Sequence, residues 1–188
     1  MRNRKRLAIL CCVLTIAIAS AAIVYWPTPR RNAMARVAAL DGTYREQTDE
    51  DGQRKVHCLI LASRPIAEPD LIALRDLRPI HRLMLDGCPL KDAWLAHLAE
   101  LEELELLTLT GCPVTDAGLI HLKTLKNLKN LSLRNTPVTD AGLVHLQSLT
   151  SLTFLNVSYS RVTEQGTAEL RRTLPGLKRI YLRDEPDD

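Results

Sequence analysis

Leucine recurs in pairs along this chain, with one residue between the two members of each pair. Successive pairs begin 24 residues apart, and the last step is 25 residues. Alternation at a period of two predicts a short strand with one buried face at every pair. The pairs are Leu59/Leu61, Leu83/Leu85, Leu107/Leu109, Leu131/Leu133, Leu155/Val157 and Ile180/Leu182.

A small polar residue follows each strand in four of the five complete repeats. It stands three places after the pair, as Cys88, Cys112, Thr136 and Ser160, whereas the first repeat has Arg64 there. We expect its thiol or hydroxyl to bond backbone groups of the turn, which would otherwise be buried without partners. A proline then fixes φ in the turn; the four prolines are Pro65, Pro89, Pro113 and Pro137.

A helix is predicted after each turn, where the chain reads Thr-Asp-Ala-Gly-Leu. Thr115 and Thr139 suit the N-cap position, and Asp116 and Asp140 sit favourably in the first turn. The leucines that follow share one helical face. No single repeat can bury this apolar stripe, but stacked repeats can. The sequence therefore predicts an α/β leucine-rich-repeat solenoid, a horseshoe with a parallel concave sheet and convex helices.

The repeats define the proposed domain organisation. Five repeats occupy 59–82, 83–106, 107–130, 131–154 and 155–179, and a final strand completes a repeat domain over 59–182. Residues 27–58 predict a linker, a short helix capped by Asn32 and a hairpin, which together would cover the open end of the solenoid. The acidic segment 183–188 is expected to be a disordered tail.

The N-terminus combines a basic segment with a long apolar one. Residues 1–6 are basic, and residues 7–26 contain no charged side chain. Twenty uncharged, mainly apolar residues are enough to span a bilayer, which favours a transmembrane signal anchor. Small residues around Ala19 also fit a cleavable signal peptide, so both interpretations stay open. Either one places the repeat domain on the exported side, as a single-pass membrane protein or as a secreted or periplasmic one.

The charge distribution argues against nucleic acid as a partner. The chain has 25 lysines and arginines, of which six lie in residues 1–31. The other 19 stand against 22 acidic residues, so residues 32–188 are together slightly acidic. A nucleic-acid-binding domain is expected to be net basic.

Cysteine and histidine give no support for a metal or a cofactor. There is no C-x-x-C spacing among the five cysteines. Cys88 and Cys112 occupy equivalent positions, where we expect buried thiols rather than a bridge. His97, His121 and His145 also recur every 24 residues and are expected to stack on the helical side as a feature of the repeat.

We predict that the protein is not an enzyme. The sequence contains no glycine-rich phosphate loop, no G-x-S-x-G and no H-E-x-x-H. Asp116 and Asp140 are explained by the repeat as helix-start residues. No loop breaks the repeat period, and catalytic residues usually lie on such loops.

Outward-pointing strand residues line the concave face in three columns. The columns are Cys58, Arg82, Leu106, Asn130, Phe154 and Arg179; Ile60, Met84, Thr108, Ser132, Asn156 and Tyr181; and Ala62, Asp86, Thr110, Arg134, Ser158 and Arg183. Aromatic residues and arginine are the usual anchors of protein interfaces. The predicted partner-binding residues are therefore Arg134, Phe154, Asn156, Arg179, Tyr181 and Arg183. An apolar strip of Ile60, Met84 and Leu106 lies further up the same face.

The repeat PVTDAGLxHLxxLxxL closely resembles those of short bacterial leucine-rich-repeat proteins, which are related in pattern to the cysteine-containing repeats of F-box substrate receptors. The resemblance extends over residues 34–182 and is strongest over 83–162. It implies a horseshoe that binds other macromolecules, without catalytic residues and without a ubiquitin-ligase role. Trp94, in place of the helix-start glycine, and Arg64 depart from the pattern.

These observations predict a non-catalytic, membrane-tethered protein that binds a protein or a cell-envelope polymer through its concave face. Two alternatives remain open. One is a structural or spacer repeat protein without a discrete ligand. The other is a soluble secreted binder released by signal cleavage.

Overall fold

The computed structural model describes residues 28–48 and 55–182. The predicted basic segment 1–6, the span or signal peptide over 7–26 and the acidic tail 183–188 lie outside these residues. Among the residues described, no helix has the length and apolar character needed to cross a membrane.

The elements follow the predicted alternation. The α-helices are α1 (Thr28–Ala39), α2 (Glu68–Ala73), α3 (Asp116–Leu119), α4 (Asp140–Leu143) and α5 (Glu164–Thr173). The 3₁₀-helices are Leu74–Leu77, Asp92–Glu100, Ile120–Thr124 and Val144–Leu146. The strands are β1 (Thr43–Thr48), β2 (Lys55–Ile60), β3 (Arg82–Met84), β4 (Leu106–Thr108), β5 (Asn130–Ser132), β6 (Phe154–Asn156) and β7 (Arg179–Tyr181).

One seven-stranded sheet runs through the described residues, with its strands in chain order. β1 pairs with β2 antiparallel, and every later pair is parallel. The register aligns each leucine with the leucine 24 residues later, as in Leu83 with Leu107 and Leu107 with Leu131. The 24-residue repeat period thus sets the register of the sheet. The predicted parallel sheet is confirmed.

The core is a continuous stack of leucines between the sheet and the helices. The inward strand leucines from Leu59 to Leu155 are completely buried. On the helical side, leucines spaced three residues apart complete it, and Leu95, Leu98 and Leu101 form one such set. At the last strand, Ile180 and Leu182 are only partly buried.

The helices of the second, third and fourth repeats are tighter than the predicted α-helices. α3 and α4 have four residues each and continue as 3₁₀-helices. Leu119, Leu122 and Leu125 are spaced by three, which matches the three residues per turn of a 3₁₀-helix. The apolar spacing thus explains why the chain tightens after the first helical turn.

The first helix begins earlier than the sequence predicted. α1 starts at Thr28, so Asn32 is an exposed residue inside the helix and not its cap. Pro29 lies in the first turn, where a missing backbone N–H costs nothing. Ala33 and Val37 are buried against the first repeat, and α1 thereby covers part of the N-terminal end of the core.

Candidate functional site

The aspartates at the helix starts link neighbouring repeats. Asp116 Oδ1 accepts a hydrogen bond from the backbone N–H of Thr139 at 2.8 Å, and its Oδ2 accepts from the Thr139 hydroxyl at 2.6 Å. Asp92 bonds Thr115 and Asp140 bonds Thr163 through the same two atoms. Each carboxylate is therefore committed to the next helix cap, which gives it a structural role.

The glycine of the same motif makes room for this carboxylate. A Cβ on Gly118 would lie 2.5 Å from Asp92 Oδ1, and Gly142 and Gly166 meet the preceding aspartate in the same way. At the first such junction the three residues change together, to Glu68, Lys91 and Trp94. Lys91 provides no side-chain cap, and Glu68 instead lies 3.0 Å from Nε2 of His97. The departure at Trp94 is thus part of a joint replacement of the aspartate, threonine and glycine.

The three cysteines of the described residues are free and buried. The thiols of Cys88 and Cys112 each donate to a carbonyl of the preceding repeat, Leu61 O and Leu85 O, at 3.0 Å. Burial raises the pKa of the Cys112 thiol to about 12. These thiols bond backbone carbonyls as predicted, but the acceptors lie in the preceding repeat and not in the turn that holds each thiol. His97, His121 and His145 are partly buried, and no cluster of potential metal ligands occurs among the residues that the structure describes.

Two of the predicted binding residues form an aromatic pair on the concave face. Phe154 of β6 and Tyr181 of β7 have ring centroids 5.4 Å apart, with planes tilted by 48°. Arg179, beside Phe154 in the register of the sheet, is exposed. Arg183 lies outside the described residues, so its predicted place in this group is not tested.

The other two predicted residues contact the turn after β6. Arg134 places its guanidinium carbon 4.7 Å from the ring centroid of Tyr159. Asn156 uses its Oδ1 to accept from the backbone N–H of Ser158 at 3.0 Å. Tyr159 is 56% exposed and has a φ of 58° in the turn after β6. It lies outside the strand columns, so the two-residue alternation could not identify it.

An apolar depression of about 270 Å³ occupies the middle of the concave face. It is lined by Leu106, Leu107, Thr108, Asn130, Leu131 and Phe154. The pairing of β4, β5 and β6 places Asn130 between Leu106 and Phe154. The column of side chains therefore has a hollow at Asn130, and neither Leu106 nor Phe154 alone predicts this hollow.

A polar cluster near the first repeat was not predicted. The Tyr44 hydroxyl lies 2.7 Å from His57 Nδ1 and receives a hydrogen bond from Arg30 at 3.1 Å. The rings of His57 and His81 stack with centroids 5.7 Å apart, and His81 Nδ1 accepts from the backbone N–H of His57. The spacing of 24 residues between the two histidines was the available signal. The cluster ties α1 and the hairpin to the solenoid.

No sequence-family profile and no curated protein sequence matches this chain. Among solved structures, internalin C2 from Listeria monocytogenes is similar with a TM-score of 0.53 and 22% identity, over 66% of this chain and 60% of that one. The chain thus spans less than two thirds of that protein. The similarity is one of fold, and together with the repeat it identifies a leucine-rich-repeat structure.

Two further structures overlap more of this chain at lower similarity. The internalin inlF of Listeria monocytogenes gives a TM-score of 0.45 at 17% identity, over 84% of this chain and 65% of that one. The leucine-rich-repeat ectodomain of the Arabidopsis thaliana receptor kinase SOBIR1 gives 0.48 at 12% identity, over 84% and 97%.

Proposed function

We propose that this leucine-rich-repeat chain is a non-catalytic binding protein that holds a protein partner on its concave face. The observation that carries the proposal is the aromatic pair of Phe154 and Tyr181, which stands on an open sheet next to the exposed Arg179. Aromatic and arginine side chains supply large contact areas and dominate interface energetics. The stacked repeats hold them on a rigid scaffold, so little ordering is needed on binding.

The proposed location is the exported side of a membrane. The uncharged segment 7–26 supports a tether, with release after signal cleavage as the alternative. The repeat PVTDAGL supports a bacterial origin of the chain, and it supports a relation of its repeats to the cysteine-containing leucine-rich-repeat subtype. N-terminal sequencing of the mature chain separates the two modes, because a start near Ser20 or Ala22 would identify cleavage.

Crosslinking in native membranes tests the concave face. The full-length chain is compared with a variant carrying Arg134→Ala, Phe154→Ala and Tyr181→Ala, after circular dichroism shows that both are folded. We expect the unchanged chain to capture a defined partner and the variant to lose it. A matched control carries Val144→Ala and Ile120→Ala on the convex side. The same capture by all three chains would contradict the proposal.

A second candidate is a structural role through the convex side. Ile120 and Val144 hold equivalent repeat positions and are 40% and 57% exposed. Apolar side chains in such a row support lateral packing against another surface. This role predicts the reverse result, in which the convex control alone loses its crosslinks.

A further inference from the structure

We propose that the depression between Leu106 and Phe154 receives one apolar side chain from a partner segment in the polyproline II conformation, with an acidic residue three positions away on each side. The inference rests on the proposed function and adds the chemistry of the partner. The strand residues that point outward at this place provide an apolar wall and two flanking guanidiniums.

The size of the depression favours a side chain over a free small molecule. Its volume is about 270 Å³, whereas small-molecule sites usually enclose roughly 300–1,000 Å³. A cavity of about 150 Å³ already accommodates a benzene-sized group. Leu106 and Phe154 therefore leave room for one large aliphatic or aromatic side chain.

Arginines flank the depression along one column of the sheet. Arg82 lies on β3 and Arg179 on β7, two strands to either side of Asn130. Strands about 4.8 Å apart place each arginine about 10 Å from the centre. A polyproline II segment rises about 3.1 Å per residue with three residues per turn, so side chains three positions apart lie on one face, about 9 Å apart. The spacing of three between the apolar and acidic residues follows from this geometry.

The concave face carries almost no negative charge that would oppose an acidic partner. Asp86 is the acidic residue among its outward strand positions in the described chain, and its Oδ1 already accepts from the backbone N–H of Thr110 at 2.8 Å. Burial raises the pKa of the Cys58 thiol, and the nearby guanidiniums of Arg82 and Arg45 partly oppose this rise. Arg45 and Arg82 are the neighbours of Cys58 on either side in the register of the sheet, so Arg45 adds to the positive charge of this column. A concave face with more basic than acidic side chains favours an acidic segment by charge complementarity.

A peptide selection tests this inference. Phage-displayed random heptapeptides are selected on the full-length chain, and the best peptide is measured by fluorescence polarisation. We expect one central apolar residue with Asp or Glu three places to either side. Asn130→Leu, which fills the depression, should weaken the binding of the peptide at least tenfold without loss of thermal stability. Gln165→Leu, on the exposed side of α5, is the matched control.

Several outcomes would overturn the inference. These are a failure to enrich peptides, enrichment of basic or wholly polar ones, or unchanged affinity for Asn130→Leu. Peptides that survive Asn130→Leu but are lost with the Arg134, Phe154 and Tyr181 triple variant would reject the depression and keep the concave-face function. Peptide binding that neither variant weakens would reject both the depression and the concave-face function. Binding of sodium alginate that survives Asn130→Leu would assign the arginines to a polyanion and also overturn the inference.

Discussion

Gly142 shows at the residue scale how one repeat constrains the next. A Cβ there would meet the carboxylate of Asp116, whose oxygens are already fixed by two hydrogen bonds to Thr139. Crowding of this kind typically costs about 1–3 kcal/mol. Gly142→Ala should therefore lower the free energy of unfolding by about that amount in urea denaturation.

Gly176 provides the comparison for that substitution. The nearest atom to a Cβ at Gly176 is Thr150 O at 3.7 Å, an ordinary contact. Gly176→Ala should be neutral or slightly stabilising, since it reduces the freedom of the unfolded chain. Equal losses for the two substitutions would show that the Asp116 carboxylate does not set the requirement for glycine.

The Cys112 thiol should be inert in the folded protein. Its pKa rises from the ordinary 9.0 to about 12 because burial disfavours the thiolate. The thiolate fraction at pH 8 is then lower by roughly a thousand-fold. In a chain with Cys11→Ser and Cys12→Ser, we expect iodoacetamide to label the remaining cysteines only after unfolding. Rapid labelling of Cys112 under native conditions would refute the buried thiol.

The same thiol makes the stability of the fold depend on alkaline pH. Above pH 9 the unfolded chain loses this proton while the folded chain keeps it, so the unfolded state binds fewer protons. The stabilisation is complete below pH 9 and is lost as the pH rises towards 12. Cys112→Ala should therefore flatten the decline in stability over this range, relative to the unchanged chain.

The sequence predicted the local roles of these residues better than it predicted their contacts with other repeats. Thr115 and Thr139 are N-caps as expected, because a cap depends on the local chain. Pairing of Asp116 with Thr139 could not be predicted from one helix, since it joins two repeats. The turn residues also diverge: the thiol of Cys88 bonds the preceding repeat, whereas the hydroxyl of Thr136 bonds its own strand, at Leu133 O.

The helix caps carry the next prediction, at the scale of an element. The Thr139 hydroxyl accepts from the backbone N–H of Ala141 at 3.2 Å and donates to Asp116. Thr139→Val keeps the shape of the side chain and removes both bonds, which should cost about 1–2 kcal/mol of stability. Chemical denaturation measures this loss, with Thr124→Val as the control because its hydroxyl makes only a long, exposed bond of 3.4 Å. Equal stability of the two variants would argue against the cap.

The sequence predicted where helices occur, but it predicted their geometry and their first residues less well. The leucine spacing placed a helix in every repeat, but its three-residue period permits both α and 3₁₀ geometry over so short a stretch. The start of α1 was misplaced because Asn32 looked like a cap. Packing of Ala33 and Val37 against the first repeat, which the local sequence does not encode, sustains the helix from Thr28.

At the scale of the whole molecule, the stack should tolerate the loss of one complete repeat. Deleting 107–130 joins Leu106 to Leu131 and brings Asp92 to the cap position of Thr139, so the same contacts re-form. We expect a folded chain with a lower unfolding midpoint, because repeat stability is nearly a sum of units and their interfaces. Deleting only 107–118 breaks the register and should leave no cooperative unfolding transition. A cooperative transition in the shorter deletion would contradict the register.

The sequence predicted which side chains share the concave face, but it predicted the contacts among these side chains less well. Strand alternation placed Phe154 and Tyr181 on the same surface, and the structure brings their rings together. The contact between Arg134 and Tyr159 depends on a turn with positive φ, which no strand pattern shows. The depression at Asn130 depends on the sizes of its neighbours across three strands and appears only when the strands are paired.

The central claim is that the concave face holds the partner, and site-specific photocrosslinking in living cells tests it most directly. A benzophenone amino acid replaces Phe154 on the concave face in one chain and Val144, which is 57% exposed on the convex side, in another. We predict a discrete crosslinked partner from position 154 and none from position 144 after irradiation. A partner crosslinked from position 144 and not from position 154 would contradict the account and assign binding to the helical side.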